Sequence, residues 1–541
     1  MKYKINLKSN IECDVFIIGA GIAGVMAAIQ ASKNGSKVII SSSVNILSGS
    51  SFYPGTWGFG MISPEHNDDI EDFINTIIKV GCDVVDKELV KTFVENINKS
   101  KEYLKGLGIN LISPDNEDEK EFIPCFDYKK RQWNGLVSNE GKEIFKKLLD
   151  NENIIKYPFS EVIDIVKIND EIKGVVLIRD NKNIEFISCK SIVIASGGLG
   201  NLFKYSLNTA DVIGSMQAIA LKKGCNLTNL EFMQMMPGFI SPSYKTIFNE
   251  KTFKYIQATN SNGEDIFRNI EYIEEKLDLR STYGPFTSRL SSREIDYAIF
   301  NEFLKNEKGV QIKYKKELKN NSPEFIKVYF KWLKENKHLT MDDDINIGVF
   351  FHAANGGIYI NSKAETGING LYAAGECTGG MHGADRIGGL STANALVFGI
   401  IAGNNASSYV KNNTHDRIEE IEFEIFEIEE SKNLINKIKD IMFNNAMIEK
   451  EGSKLRKAIL ELDNIKENIK LKEKVDYSNV KYSFRLLNYL LLSKAILLAI
   501  DMRKESRGSH YRSDYPSIDN NMNKKINIKF DGDIKVYFQG E

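Results

Sequence analysis

Three glycines near the start of the chain have the types and spacing of a phosphate-binding turn. Gly19, Gly21 and Gly24 form GxGxxG directly after the apolar run CDVFII, which predicts a strand, and before a segment that favours a helix. The first glycine of such a motif makes a tight turn, the second lets the backbone approach a pyrophosphate, and the third lets the helix pack on the strand. Because KVII predicts the next strand, the pattern indicates a dinucleotide site in a βαβ unit.

The residues after the second strand do not decide which dinucleotide binds. Dinucleotide sites commonly end that strand with an acidic residue that binds the ribose hydroxyls. This sequence has Ser41, Ser42 and Ser43 there. A serine hydroxyl can still hydrogen-bond a ribose, so the motif alone is compatible with FAD and with NAD.

A second glycine-rich pattern far along the chain favours FAD. In GINGLYAAGEC, at 367–377, an apolar strand ends in Gly375 and Glu376. HGADRIGGLSTANAL, at 382–396, then opens a helix whose N-terminus can face a flavin ring. A site with one early and one late segment suits a long dinucleotide that lies across a domain.

Composition and charge restrict the remaining functions. The 541 residues include 71 Lys+Arg and 73 Asp+Glu, a formal net charge of −2, whereas a nucleic-acid binder usually has a basic domain or stripe. No apolar run reaches the ~18 residues of a membrane span, and the polar N-terminus lacks the apolar core of a signal peptide, which favours a cytoplasmic protein. The six cysteines contain no CxxC pair and the six histidines no cluster, so no metal site is expected.

These patterns and several others, in order, resemble the flavoprotein family of succinate dehydrogenase, fumarate reductase and L-aspartate oxidase. The resemblance covers nearly the whole chain, and the serine-ended second strand with GSSFY is closest to the L-aspartate oxidase branch. No histidine lies between residues 31 and 65, where succinate dehydrogenases carry the one that bonds FAD, so the resemblance implies non-covalent FAD. The motifs are VFIIGAGIAGVMAA at 15–28, SGSSFYPGTWG at 48–58, SIVIASGGLGNLFKYSLNTADVIG at 191–214, LEFMQMMP at 230–237, TSRLSSREIDYAI at 287–299, FHAANGGI at 351–358, GLYAAGECTGGMHGADRIGG at 370–389 and SRGSHYRSDYP at 506–516.

The resemblance also implies which residues hold FAD. By the resemblance, the adenosine diphosphate part is held by Gly19, Gly21, Gly24 and Ser42, and the flavin and its phosphates lie beside Ser50 and Ser51. The FAD hydroxyls meet Asp211 and Glu376. The flavin ring lies by Leu390 and Ser391, at the start of the late helix.

For catalysis, the family uses an arginine to deliver or accept a proton while hydride passes between the substrate carbon and flavin N5. The matching residue is Arg293, in SRE, and Arg289 is a nearby second choice. His352 and Arg386 match the family's binders of the substrate carboxylate. An arginine can hold a carboxylate in a bidentate fork, and a histidine can donate to the same group.

The sequence departs from the family pattern in the substrate pocket. The usual QFHP is QMMP, with Met236 in place of the histidine. The Thr-Glu pair expected near 248–250 is missing from IFNEKTF, and CFDYKKRQWNG, at 125–135, replaces a glycine-rich REGG-like segment. We therefore expect a small carboxylate substrate with one carboxylate and a less polar far end, in place of succinate, fumarate or aspartate.

The patterns and the resemblance together predict an α/β fold: a Rossmann-like FAD-binding domain with an inserted α+β capping domain and a C-terminal helical bundle. The FAD-binding domain takes 1–240 and 345–410, and the capping domain takes 241–344. Charged heptad-like repeats beginning with IEEIEFEIFEIEE predict the bundle over 415–505, and the tail at 506–541 includes a predicted hairpin.

Three other functions remain open from the sequence. The chain could be an L-aspartate oxidase or another amino-acid oxidase. It could be a flavin electron-transfer subunit whose iron–sulfur or membrane partner is a separate chain, since it has no cluster-binding cysteines of its own. It could also be a flavoprotein scaffold without catalysis.

Overall fold

The chain alternates strands and helices, and its computed structural model describes residues 1–53, 59–113, 126–129, 131–136, 138–320, 322–413, 416 and 418–540. Residues 54–58 of the SGSSFYPGTWG motif, Cys125 of CFDYKKRQWNG, and residue 415 at the predicted start of the bundle lie outside the described residues. The strands are β1 Tyr3–Lys8, β2 Glu12–Ile18, β3 Val38–Ser41, β4 Phe59–Ser63, β5 Leu111–Ile112, β6 Gln132–Leu136, β7 Ile154–Tyr157, β8 Ser160–Ile168, β9 Glu171–Arg179, β10 Asn183–Ile194, β11 Leu227–Thr228, β12 Met233–Ser241, β13 Ile256–Thr259, β14 Val310–Tyr314, β15 Ile345–Ala354, β16 Gly357–Tyr359, β17 Leu371–Ala373, β18 Thr378–Gly379, β19 Glu420–Ile425, β20 Glu449–Lys450, β21 Tyr511–Arg512, β22 Ile526–Asp531 and β23 Asp533–Phe538. The helices are α1 Ile22–Lys33, α2 Asp69–Val80, α3 Lys87–Gly106, α4 Ser138–Leu149, α5 Ser215–Lys223, α6 Ile273–Arg280, α7 Arg293–Lys305, α8 Lys316–Asn320, α9 Glu324–Lys337, α10 Leu390–Asn412, α11 Ser431–Ala446, α12 Gly452–Glu467 and α13 Tyr477–Met502.

The predicted βαβ unit lies at the centre of the largest sheet, whose order is β7-β3-β2-β10-β9-β8, with β17 also paired to β10. The pairs β7–β3, β3–β2, β2–β10 and β10–β17 are parallel, whereas β8, β9 and the first half of β10 form an antiparallel extension. The fully buried parallel strands explain the continuous apolar runs in the sequence. The predicted α/β class with a Rossmann-like core is confirmed.

Helix α10 packs closely against α1, so the early and late motifs meet. Gly399 and Gly403 of α10 face α1, and an added Cβ on them would lie 2.6 Å from Ala23 O and 2.4 Å from Ala27 O. Side chains at those two positions would separate the helices. The middle of α10 thereby lies beside the first half of α1.

The inserted lobe, which we call the cap, is built on an antiparallel sheet of order β12-β15-β14-β13 with helices α6 to α9 around it. Its long strands β12 and β15 pair from Met233 with Ala354 to Ser241 with Asn346. β12 carries the motif QMMP, and β15 carries the first part of FHAANGGI.

The C-terminal region contains three long helices, α11 to α13, but its first segment is not helical. The heptad-like pattern IEEIEFEIFEIEE predicted helix, whereas residues 420–425 form β19, which pairs antiparallel with β1. Isoleucine and phenylalanine alternate with glutamate in this segment, and a period of two places them on one face of a strand. Lys2, just before β1, and Lys4 of β1 pair with Glu424 and Glu422, which compensates the run of acidic residues.

Helix α13 contains the apolar stretch Leu486–Ile500 and is largely buried. It alone among the described helices is long and apolar enough, by length and composition, to cross a membrane, but 67% of that stretch is buried inside the protein. It packs against α11, α12 and α5. Beyond it, β22 and β23 form a hairpin around Gly532, whose φ is 74°.

Candidate active site

A cavity of about 420 Å³ lies where the carboxyl ends of β2, β3 and β10 meet the cap. In parallel sheets with helices on both faces, ligands bind outside the carboxyl ends of the strands. One part of the lining comes from residues 41–43 and 160–162 of the large sheet, and another from Met236, His352 and Arg386. We call these parts the sheet end and the cap end of the cavity.

The glycine turn has the backbone geometry that the motif requires. Gly19 has φ 111°, and an added Cβ would lie 2.2 Å from Ala195 O. An added Cβ on Gly24 would lie 1.9 Å from Gly19 O, so this glycine lets α1 pack on the strand. At Gly21 the nearest atom is Ser51 Oγ at 3.2 Å, so this backbone stays open to the cavity.

Polar groups around the turn can bind a dinucleotide. Ser51 Oγ accepts a hydrogen bond from the N–H of Ile22, in the first turn of α1, at 3.1 Å. Ser48 Oγ donates to Asp211 Oδ2 at 2.9 Å. The hydroxyls of Ser196 and Ser215 line the cavity and find no hydrogen-bond partner among the described residues. Unsatisfied buried hydroxyls are rare in folded proteins, so these two fit a polar ligand.

Glu376 lies against the glycine cluster that follows β10. Its Oε1 accepts a hydrogen bond from Ala354 N at 3.1 Å, and an added Cβ on Gly198 would lie 2.2 Å from the same oxygen. Burial raises the pKa of Glu376 above its usual value, although backbone hydrogen bonds from Ala354 and Gly198 oppose the shift. Its carboxyl oxygens can accept a hydrogen bond from a ligand hydroxyl.

Most of the predicted cofactor residues line this cavity, and two do not. Gly24 serves helix packing, and Leu390 is buried at the start of α10. The segment 160–162 also lines the cavity but was not predicted, because it has no motif of its own. The predicted residues in the lining are Gly19, Gly21, Ser42, Ser50, Ser51, Asp211, Glu376 and Ser391.

At the cap end, Gln234 of β12 orients Arg386. Nε and Nη2 of Arg386 donate to Gln234 Oε1 at 3.1 and 2.8 Å. Gln234 is fully buried and Arg386 is 8% exposed. Because a neutral amide oxygen holds the guanidinium from one side, the arginine keeps its positive charge in a low-dielectric site where it binds an anion strongly.

Two histidines near Arg386 are uncharged. Burial and the charge of Arg386 lower the pKa of His352 to about 3 and lower that of His382 well below its usual value. His352 lines the cavity from β15. At neutral pH its imidazole can therefore donate a hydrogen bond from one nitrogen without adding a second positive charge.

An apolar side chain and a carboxylate also line the cap end. Met236 packs with Leu207 and Phe350 in a small hydrophobic cluster and lines the cavity. Glu250, in the short 3₁₀ helix after β12, also lines it and is 9% exposed. The Thr-Glu pair is absent from this segment because Asn249 precedes Glu250, but the structure places Glu250 in the cavity lining.

The two arginines predicted for proton transfer do not line the cavity. Arg293, the first residue of α7, donates from Nη1 to Ser288 O at 2.8 Å and lies over the ring of Tyr511. Arg289 donates from Nε to Asp385 Oδ2 at 2.8 Å. The structure thus brings His352 and Arg386 together but holds Arg293 apart from them, against the C-terminal segment.

Metal binding has no support within the described ranges. No group of three His, Cys, Asp or Glu side chains there could hold a metal ion. The five described cysteines are free and buried.

Comparison with known proteins decides the family. The family model described as FAD binding domain matches residues 14–250 and 309–392, and that described as fumarate reductase flavoprotein C-term matches residues 435–536. The chain belongs to the succinate dehydrogenase, fumarate reductase and L-aspartate oxidase family of flavoproteins. It is a flavin-dependent oxidoreductase, and its dinucleotide is FAD.

Relatives match over nearly the full length. An uncharacterized FAD-dependent oxidoreductase of Methanocaldococcus jannaschii is 28% identical over 96% of this chain and 96% of its own. An L-aspartate oxidase of Saccharolobus solfataricus is 28% identical over 93% of this chain and 96% of its own. The structure of Mycobacterium smegmatis Sdh1 in complex with UQ1 includes a chain with a TM-score of 0.80 and 23% identity, over 97% of this chain and 94% of that one, and it shares the fold.

The described residues fit FAD on their own geometry. The open backbone at Gly21, the partnerless hydroxyls of Ser196 and Ser215, and Asp211 and Glu376 all lie along one cavity that continues to the start of α10. These residues would hold the dinucleotide.

Proposed function

We propose that the protein oxidises a C–C or C–N bond next to a carboxylate, or reduces the corresponding unsaturated acid, on a small substrate with a less polar far end. FAD, when bound, accepts or supplies the hydride at its N5 atom. The observation that carries the proposal is the buried guanidinium of Arg386, which adjoins the neutral His352 and shares the cap end with the apolar cluster around Met236.

Arg386 binds the substrate carboxylate in this proposal. Gln234 fixes the direction of its guanidinium, and a planar guanidinium can form two parallel hydrogen bonds with a carboxylate. Burial strengthens the charge attraction because little water screens it. The substrate is thus held in one orientation.

His352 stabilises the charge that develops on the bound acid. Its pKa of about 3 keeps the ring neutral above about pH 4. A neutral imidazole donates one hydrogen bond to the carboxylate or to an enolate-like oxygen, and such a donor is most effective where water is excluded.

Arg293 is the proposed proton donor and acceptor, with Arg289 as the second candidate. Neither lines the cavity in this arrangement, so the cap segment that carries them must move toward the cap end during turnover. Movements of this kind complete many active sites and exclude water.

An anaerobic absorbance assay on the purified holoprotein tests the proposal. Monocarboxylic acids, amino acids, succinate and L-aspartate are offered to the oxidised flavin, and fumarate and other enoates to the reduced flavin. We expect one class of monocarboxylate to bleach the flavin, or its enoate to reoxidise it. Efficient turnover of succinate, fumarate or aspartate would contradict a less polar far end. Release of the flavin by acid precipitation tests its non-covalent attachment.

An amino-acid oxidase is a second candidate because a carboxylate lies in the cavity lining. Glu250 lines the cavity, and a carboxylate at that place can bind a substrate ammonium group while Arg386 binds the carboxylate. Hydrogen peroxide formation with an amino acid supports this candidate, and its absence with every amino acid tested argues against it.

A third candidate is a flavin subunit that passes electrons to a separate partner chain. The C-terminal match to a fumarate reductase flavoprotein model favours it. Co-purification of a redox partner, together with no flavin response to any acid by the isolated chain, supports it. Turnover by the isolated chain opposes it.

A further inference from the structure

We propose that Arg485 is a positioning residue for the adenosine half of bound FAD. Its guanidinium fixes Glu161, and Glu161 in turn fixes the backbone of residues 160–162, which line the sheet end of the cavity. Helix α13 of the C-terminal region then contributes to cofactor affinity without supplying a residue to the cavity lining.

The contact between the two side chains is bidentate and largely shielded from water. Arg485 Nε donates to Glu161 Oε1 at 3.2 Å, and Nη2 donates to Oε2 at 2.6 Å. The side chains are 18% and 11% exposed. Two charge-assisted hydrogen bonds of this kind hold a side chain more firmly than an exposed pair does.

The segment held by this pair lies at the adenosine end of the site. Ser160 N donates to Ser42 O at 2.7 Å, which joins the start of β8 to the residue after β3. In a site built on GxGxxG, the end of the second strand binds the ribose of the adenosine. Since β3 is that second strand, residues 160–162 lie beside the adenosine and away from the flavin ring.

Within the sheet, one neighbouring strand supports this segment. β8 is the outermost strand of the order β7-β3-β2-β10-β9-β8, so only β9 pairs with it in the ladder. The β8–β9 register shifts between Val162 and Asp164, and a bulge disrupts the local hydrogen bonding. The Arg485–Glu161 pair adds a support outside the sheet at residues that precede this bulge.

Helix α13 also reaches β8 by a second route. Asn488 accepts a hydrogen bond from Lys222 Nζ of α5 at 2.6 Å, and the adjacent Lys223 pairs with Asp164 of β8 at 2.8 Å. The direct Arg485–Glu161 contact and this indirect route both tie β8 to α13.

Binding of three probes to the apoprotein tests the inference. FAD and ADP contain the adenosine, whereas FMN lacks it, and each dissociation constant is measured by fluorescence or by competition. For Arg485→Met we expect FAD and ADP to bind about tenfold more weakly, as when charge-assisted hydrogen bonds to a binding segment are lost. FMN binding stays unchanged, and Arg485→Lys restores part of the affinity.

Lys494→Met is the matched control. Lys494 lies on the same helix and donates to both oxygens of Asp463, at 2.6 and 2.8 Å, but this pair joins α13 to α12. We expect it to lower the melting temperature as Arg485→Met does, with no change in FAD or ADP binding. Equal weakening by both variants overturns the inference, as does equal weakening of FMN.

The double variant Glu161→Gln with Arg485→Met separates positioning from charge. If Arg485 only neutralises Glu161, removing both charges restores FAD affinity, and the inference is wrong. If Arg485 positions the segment, the double variant stays weak. Should Arg485→Met fail to fold, Glu161→Leu carries the same test from the other side of the contact.

Discussion

The two ends of the cavity are built in different ways. The sheet end consists of strand ends and glycine backbone from one continuous sheet, and its groups already lie along the cavity. The cap end takes one side chain each from β12, β15 and the loop before α10, and its proposed proton donor lies outside the lining. Cofactor binding therefore depends on a rigid scaffold, whereas substrate chemistry depends on how the cap meets that scaffold.

Replacing the carboxylate clamp should have the largest effect, confined to the cap end. For Arg386→Met we expect kcat/KM to fall about a thousandfold, or about 4 kcal/mol, as when one partner of a buried charged pair is removed. FAD content should not change. Steady-state kinetics and the flavin absorbance of the purified variant measure the two effects.

Arg268→Met, at an exposed arginine of the cap with 58% of its side chain accessible, is the control and should match the native rate. A loss of FAD in Arg386→Met equal to its loss of activity would place this arginine at the sheet end.

Removing the proposed proton donor should slow the chemical step about a hundredfold, the typical contribution of general acid–base catalysis. Stopped-flow measurement of flavin reduction by Arg293→Ala tests this, with Arg289→Ala beside it. A larger loss in Arg289→Ala assigns the role to Arg289. An unchanged rate in both variants would show that neither arginine serves the cap end.

A methyl group in the glycine turn should weaken FAD binding at the sheet end and leave the cap end unchanged. Gly19→Ala places a Cβ against Ala195 O at a φ of 111°, and we expect FAD affinity to fall about tenfold or more from the resulting strain. Gly35→Ala is the control because Gly35 also has positive φ, 83°, but open space around it. Flavin titration of both apoproteins shows whether the close approach or the backbone conformation matters.

Changing Met236 in the apolar cluster should alter the substrate preference without removing activity. For Met236→His we expect the ratio of dicarboxylate to monocarboxylate kcat/KM to rise about tenfold, as a polar group in a pocket recognises a polar substrate group. Competition between the two acid classes gives the ratio. A ratio that stays the same would mean that the far end of the substrate does not contact Met236.

Asp385, which contacts Arg289 of the cap, should make the stability of the protein depend slightly on pH. Burial raises the pKa of Asp385 from 3.8 to about 6, although Arg289 and Thr287 oppose the shift. The folded protein then holds a proton that the unfolded chain releases between these pH values, so stability falls as pH rises from 4 to 6. We expect the melting temperature of the native protein relative to Asp385→Asn to fall by about 1–2 °C over that range. A flat difference would mean that Asp385 titrates alike in both states.

Local sequence patterns predicted the sheet end better than the cap end. GxGxxG acts through its own turn and the helix that follows, so the spacing of three glycines contains the geometry. Residues 160–162 were not predicted as lining residues because only their position in an edge strand places them at the cavity. Glu250 was not predicted because its neighbour, Asn249, differs from the Thr-Glu pair of the family. The segment at 420–425 was misassigned to helix because glutamates spaced along a strand can imitate a charged helical face.

By itself, the sequence determined the α/β class, the dinucleotide turn, the family and the identity of most groups in the site, because each depends on residues close together in the chain or on ordered motifs. Only the tertiary structure decided that Gln234 holds Arg386, that Arg293 lies against Tyr511, and that Arg485 reaches Glu161. These contacts join residues 152, 218 and 324 positions apart. No local pattern encodes such a distance, because packing of whole helices and sheets determines which side chains meet.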